Sequence, residues 1–124
     1  MVVLMDIPAL IKKSDENWEL SERLRKSGSY NAAANRLYYS VFQAVKAYAV
    51  KSGKMKPDED VSVHRTANRI VKGDNENHRA FGDAMEMRER GDYQDDSVYE
   101  SEFSQKFLCE ADSLRQHYRK LAIA

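Results

Sequence analysis

The stretch Asn31–Gly53, NAAANRLYYSVFQAVKAYAVKSG, decides how this chain is read. Leu37, Val41, Ala44, Val45 and Tyr48 recur at steps of three and four residues, which is the repeat of one helical face and not of a strand, whose faces alternate at every second residue. The segment predicts a long amphipathic helix with a core stripe. Asn35, Arg36, Tyr38 and Tyr39 crowd the first half of it. A guanidinium is costly to bury unless it is paired and hydrogen-bonded, so Arg36 beside two tyrosines predicts either a structural salt bridge under a tyrosine lid or a polar pocket.

The flanking sequence continues the helical pattern. Upstream, a helix is expected from about Ile7 to Ser27, with Asp6 as its cap, Pro8 tolerated in the first turn, and Ile7, Leu10, Ile11, Trp18 and Leu24 supplying apolar contacts; Gly28 ends it. Downstream, Gly53 to Val61 is polar, charged and contains Pro57, the composition of an exposed connection. A shorter helix is expected from about Asp60 to Lys72, and another from about Glu76 to Arg90, separated by the turn signal Gly73-Asp74-Asn75 and stopped by Gly91. Ser97 and Glu100 match a capping box that would open the last helix, where Phe103, Phe107, Ala111, Leu114, Tyr118 and Leu121 keep helical spacing. The fold class expected is all-α: a single domain over residues 1–124, an antiparallel bundle of four to five helices with Leu37, Val41, Val45, Phe107, Ala111 and Leu114 in its core.

Composition narrows the function classes. Twenty Lys and Arg balance 20 Asp and Glu, so no bulk positive charge marks the chain for nucleic acid and any such contact must be local. A single cysteine, Cys109, excludes an internal disulfide and a thiolate metal site; it reads as a small packing residue of the last helix, and the chain as cytoplasmic. The N-terminus has no basic region before its apolar start, so it is a poor signal peptide, and no run is long enough to span a bilayer. His64, His78 and His117 fall on different segments without ligand spacing, so no metal and no cofactor is expected. His64 opens a helix, where its ring caps backbone or faces a pocket; His78 and His117 read as surface residues. A second polar group, Arg88-Glu89-Arg90-Gly91-Asp92-Tyr93, places Arg88 one helical turn from Asp92.

The order AANRLYYSVFQAVKAY, then VHRTANRIVKG, then MRERGDY, then a capped C-terminal helix, resembles the HEPN superfamily and most closely its small prokaryotic UPF0332-like branch. The likeness runs from about Ser21 to Leu121. Its most specific part is Asn35-Arg36-Leu37-Tyr38-Tyr39 together with Arg88, Asp92 and Tyr93. The resemblance implies a homodimer whose polar clusters meet at a shared cleft, RNA cleavage within toxin–antitoxin systems, and a nucleotidyltransferase-like antitoxin as partner.

One departure bears on that implication. The ribonuclease members of the family carry an arginine followed after four to six residues by a histidine; here Arg88 is followed after four residues by Tyr93, and no Arg-to-His pair has that spacing. A phenol with an ordinary pKa near 10 is a poor general base at neutral pH, although it can hold a phosphate or orient a water. Two guanidiniums, Arg36 and Arg88, offer planar donors matched to phosphate oxygens. Three functions therefore stand side by side. In an RNA- or nucleotide-binding module, Asn35, Arg36, Tyr39, Arg88 and Asp92 hold the ligand. In a metal-independent endoribonuclease, Arg88, with Arg36, stabilises charge at phosphorus while His64 or Tyr93 handles protons. The third is a structural or partner-binding dimer. A His64 ring directed into the Arg36/Arg88 cleft favours catalysis over binding.

Overall fold

The computed structural model describes residues 6–55, 63–73, 75–93 and 97–124, with the backbone alone for residues 63, 75, 76 and 93. Among them five α-helices follow one another: α1 (Ile7–Lys26), α2 (Tyr30–Lys51), α3 (Val63–Lys72), α4 (Asn75–Tyr93) and α5 (Gln105–Ile123), with one short 3₁₀ turn at Glu100–Glu102. No strand occurs among the described residues, and the fold is the expected helical bundle.

Local chemistry explains the first two helices. The Asp6 carboxylate accepts a hydrogen bond from the Ala9 amide at 2.9 Å, satisfying one of the amides that a helix start leaves open, and Pro8 sits where no intrahelical amide is needed. Gly28, at φ +85°, turns the chain so that the Ser29 amide reaches back to the Leu24 carbonyl at 2.9 Å. Across the seam that follows, the Ser14 hydroxyl donates to the Ser40 carbonyl at 2.6 Å and the Ser21 hydroxyl to the Ala33 carbonyl at 2.7 Å. One residue number rises as its partner falls, so α1 and α2 run antiparallel. Side chains this small let the two backbones approach closely, and each buried hydroxyl has a partner.

Helix α2 is the spine. Leu37, Tyr38, Val41, Ala44 and Val45 are fully buried against Phe107, Ala111, Leu114 and Tyr118 of α5, Ala80, Phe81, Ala84 and Met87 of α4, and Ala67 and Val71 of α3. All six residues expected in the core lie there. A charged clasp closes α1 on α5: the buried Arg115 guanidinium donates to Asp15 at 2.7 Å and to Asp112 at 3.1 Å, lies 5.1 Å above the Trp18 ring, and shares Asp15 with Arg119.

Four expectations need correction. Gly91 does not stop α4, which runs on to Tyr93; a Cβ at Gly91 would meet Asn31 and Val98 at 3.4 Å, so the glycine serves the close approach of α4 to the start of α2. Ser97 does not open the last helix. The residue that does is Ser104, whose hydroxyl accepts the Phe107 amide at 3.1 Å, while residues 97–103 are pinned by Val98 donating to the Asn31 side chain at 2.8 Å and by Glu102 paired with Arg90. Cys109 is exposed, two residues on from Phe107 and so on the far side of the helix. His117 is exposed as expected, but His78 is half-buried. The expected helix start at Asp60 and most of the expected loop before it lie outside the described residues.

Candidate functional site

Helix α2 presents Asn35, Arg36, Tyr38 and Tyr39 over little more than one turn, and a turn of that width faces two neighbours at once. On one side Arg36 reaches α1, where its Nη1 donates to the Asn17 side-chain oxygen at 3.2 Å. Its Nε donates to Asn35 Oδ1 at 2.8 Å, and Nη2 bonds to the same oxygen. Asn35 then uses its amide nitrogen to donate to Asp92 Oδ2 at 2.8 Å, which ties α2 to the end of α4. Arg88, one turn before Asp92, approaches that carboxylate at 3.9 Å and donates to the Tyr39 hydroxyl at 3.4 Å. The pairings of residue 35 with 92 and of 39 with 88 run in opposite senses, so α2 and α4 are antiparallel.

Two cations share one ring. The Arg36 guanidinium carbon lies 5.4 Å and that of Arg88 5.6 Å from the Tyr39 ring centre, and Arg88 also lies 5.0 Å from the ring centre of Tyr38. A ring face carries partial negative charge, so it stabilises a guanidinium without neutralising it.

Helix α3 closes the group through His64. Its Nδ1 lies 2.6 Å from the hydroxyl of the fully buried Tyr38, and its ring stacks on Phe42 with centres 4.5 Å apart. Burial first, then the positive charges of Arg88 and Lys46, lowers the His64 pKa against a smaller opposing effect of Glu89. Burial also pushes the Tyr38 hydroxyl well above the ordinary phenol range, with Arg88 opposing. Both partners are therefore neutral at neutral pH. With Tyr38 as donor, Nδ1 accepts and the remaining ring proton sits on Nε2.

The structure thus brings Asn35, Arg36, Tyr39, His64, Arg88 and Asp92 from three helices into one cluster, which Asn17 joins from α1. The side chain of Tyr93 lies outside the described residues. Arg88 and Asp92 pair across one turn as expected, at 3.9 Å, while Asp92 makes its closer contact with Asn35 at 2.8 Å. Sequence reasoning missed Asn17, the hydrogen-bonding role of Tyr38, and Phe42. A signal for Asn17 was present: Leu10, Ser14, Asn17 and Ser21 hold one helical face, on which polar residues continue an apolar start. Chemically the cluster offers guanidinium and amide donors to an anion, and a neutral imidazole beside them. Among the described residues no three of His, Cys, Asp and Glu stand together as metal ligands.

A family model for the HEPN domain matches residues 7–121. This chain belongs to the HEPN domain family. No curated protein matches its sequence. In this HEPN domain no helix among the described residues is long and apolar enough to cross a membrane. The match extends from the first residue of α1 almost to the end of α5, so the whole cluster lies inside the family's domain.

Proposed function

We propose that this HEPN domain is an RNA- or nucleotide-binding module of the UPF0332-like branch, whose phosphate-directed site is built from Asn35, Arg36, Tyr39, Arg88 and Asp92. The observation that carries the reading is the placement of Arg36 and Arg88 on a single tyrosine ring, with the Asp92 carboxylate hydrogen-bonded to Asn35 at 2.8 Å. Two permanent cations held by ring faces and amides keep donors matched to phosphate oxygens. In this reading the protein works in the cytoplasm as a homodimer, within a toxin–antitoxin pair and beside a nucleotidyltransferase-like antitoxin.

Binding of RNA and thermal stability measured on one Arg88→Ala sample test it. A phosphate-holding Arg88 predicts a loss of roughly 2 to 3 kcal/mol in binding, the scale of hydrogen bonds to charged groups, with helicity kept. A fall in melting temperature with binding per folded molecule unchanged would make Arg88 structural and remove the site.

A second reading has its own support. His64 is neutral and joined to Tyr38 inside the cluster, and in the tautomer whose Nδ1 donates to the Tyr38 hydroxyl, Nε2 keeps the free lone pair that a general base requires. A metal-independent endoribonuclease built this way would cleave RNA in excess chelator and lose cleavage, but not binding, in His64→Gln.

A further inference from the structure

The side of α3 turned away from the bundle is a line of positive charge. Arg65, Arg69 and Lys72 stand at i, i+4 and i+7 and are all exposed, whereas Ala67 and Val71 of the same helix are fully buried. At 100° per residue the three cations fall within an arc of about 60°, and at 1.5 Å per residue they span about 10 Å along the axis. No Asp or Glu occurs from Val61 to Gly73. Among the described residues none of the three is ion-paired, unlike Arg90, Arg115 and Arg119. In a chain with as many acids as bases, an acid-free cationic line is a local polarisation with a direction. It starts one residue after His64, whose ring is bonded to Tyr38 in the Arg36/Arg88 cluster.

We infer that Arg65, Arg69 and Lys72 form a backbone track that carries a single-stranded RNA away from the cluster, so that the ligand is a polynucleotide and not a mononucleotide. The inference rests on the phosphate-directed reading of Arg36 and Arg88. Its chemistry is that of successive phosphates meeting successive cations, which holds a strand without reading its bases. A mononucleotide brings a single phosphate, which the cluster occupies, and so has none to place along the track.

The test compares the wild-type chain, the triple variant Arg65→Gln, Arg69→Gln, Lys72→Gln, and Arg88→Ala. Each is titrated with oligouridylate across a range of salt, and with uridine 5′-monophosphate. Glutamine keeps helix propensity at exposed positions, and circular dichroism confirms that the triple variant is folded. The track predicts that the triple variant binds oligouridylate at least about tenfold more weakly at moderate salt, with the slope of log K against log salt shallower by about 2, near 0.7 for each phosphate no longer neutralised. It also predicts that the triple variant holds the monophosphate as the wild type does, while Arg88→Ala weakens both ligands. An unchanged oligouridylate slope in the triple variant, with Arg88→Ala still impaired, overturns the track and leaves the cluster standing. Arg88→Ala binding like the wild type overturns the cluster and, with it, the track as its extension. Oligoglutamate competing as well as oligouridylate assigns the line to an acidic protein and overturns an RNA track. No binding of either nucleotide ligand by the wild type overturns both.

Discussion

Replacing Tyr38 with Phe removes one oxygen from the centre of the cluster and little else. The ring keeps its neighbours, since Tyr38 lies 5.4 Å from Tyr39, 5.9 Å from Phe42 and 5.7 Å from Phe81, centre to centre, and the Arg88 guanidinium stays above its face. What goes is the 2.6 Å hydrogen bond with His64 Nδ1. An intramolecular hydrogen bond contributes about 1 kcal/mol net, and leaving a buried partner unsatisfied costs about 1–3 kcal/mol more. His64 is only partly buried, so water recovers some of that second cost and the total should be about 1–2 kcal/mol. Unfolding entropy of about 2.1 cal/mol/K per residue over 124 residues gives roughly 4 °C per kcal/mol, hence a fall in Tm of about 4–8 °C. Urea denaturation of wild type, Tyr38→Phe, His64→Phe and the double variant closes a cycle, with Phe at position 64 preserving the stack on Phe42. A coupling of about 1 kcal/mol is expected, with unchanged m-values. Coupling below about 0.3 kcal/mol, within ordinary additivity error, would refute the hydrogen bond as the tie between α3 and α2.

Two titrations should occupy separate pH windows. The folded state holds the His64 pKa below its ordinary 6.5, so the unfolded chain binds the proton first, and stability should decline as pH falls from about 6.5; His64→Gln should remove that decline. Hydrogen bonding from Arg119, opposed by desolvation and reinforced by hydrogen bonding from Arg115, holds the Asp15 carboxyl below its ordinary 3.8. Its contribution is therefore present above 3.8 and is lost as pH falls through the folded value; Asp15→Asn should flatten the acid limb only there. The helical glycines should respond in opposite directions. A Cβ at Gly82 would meet nothing within 4 Å, so Gly82→Ala should stabilise by about 0.5–1 kcal/mol, whereas Gly91→Leu should destabilise by about 1–3 kcal/mol because Asn31 and Val98 already stand at 3.4 Å; chemical denaturation of both reads the signs.

The parts of the fold legible in the sequence were those written in apolar periodicity. Leu37, Val41 and Val45, or Phe107, Ala111 and Leu114, have only one way to share a face. Punctuation was less informative. Gly91 as a helix stop and Gly91 as a close backbone contact leave the same letter, and only the position of Asn31 distinguishes them. Ser97 with Glu100 fits the capping box by spacing, but Ser104 makes the cap through its hydroxyl alone, with Phe107 where an acid would signal it. Cys109 lies among apolar residues along the chain, yet two residues from Phe107 is about 200° around the helix. In the cluster, Asn35, Arg36, Tyr39, Arg88 and Asp92 stood out because charges and amides beside a core stripe need partners. Asn17 did not, because an apolar pattern is blind to a polar residue that continues the buried face.

The hydroxyl-lined seam between α1 and α2 also bears on the order of assembly. Its hydrogen bonds, Ser21 to Ala33 and Ser14 to Ser40, join residues 12 and 26 apart, while the Asp15 clasp to Arg115 and Arg119 joins residues 100 and 104 apart. Short loops close at little entropic expense and long ones at more, so the α1–α2 hairpin is expected in the folding nucleus, with α5 docking after the rate-limiting step. Lesions at Ser14 or Ser21 then act by slowing folding, and lesions at Arg115 by hastening unfolding. The helix that bears Arg36 should accordingly be oriented early, and the lifetime of the finished bundle should rest on the clasp between α1 and α5.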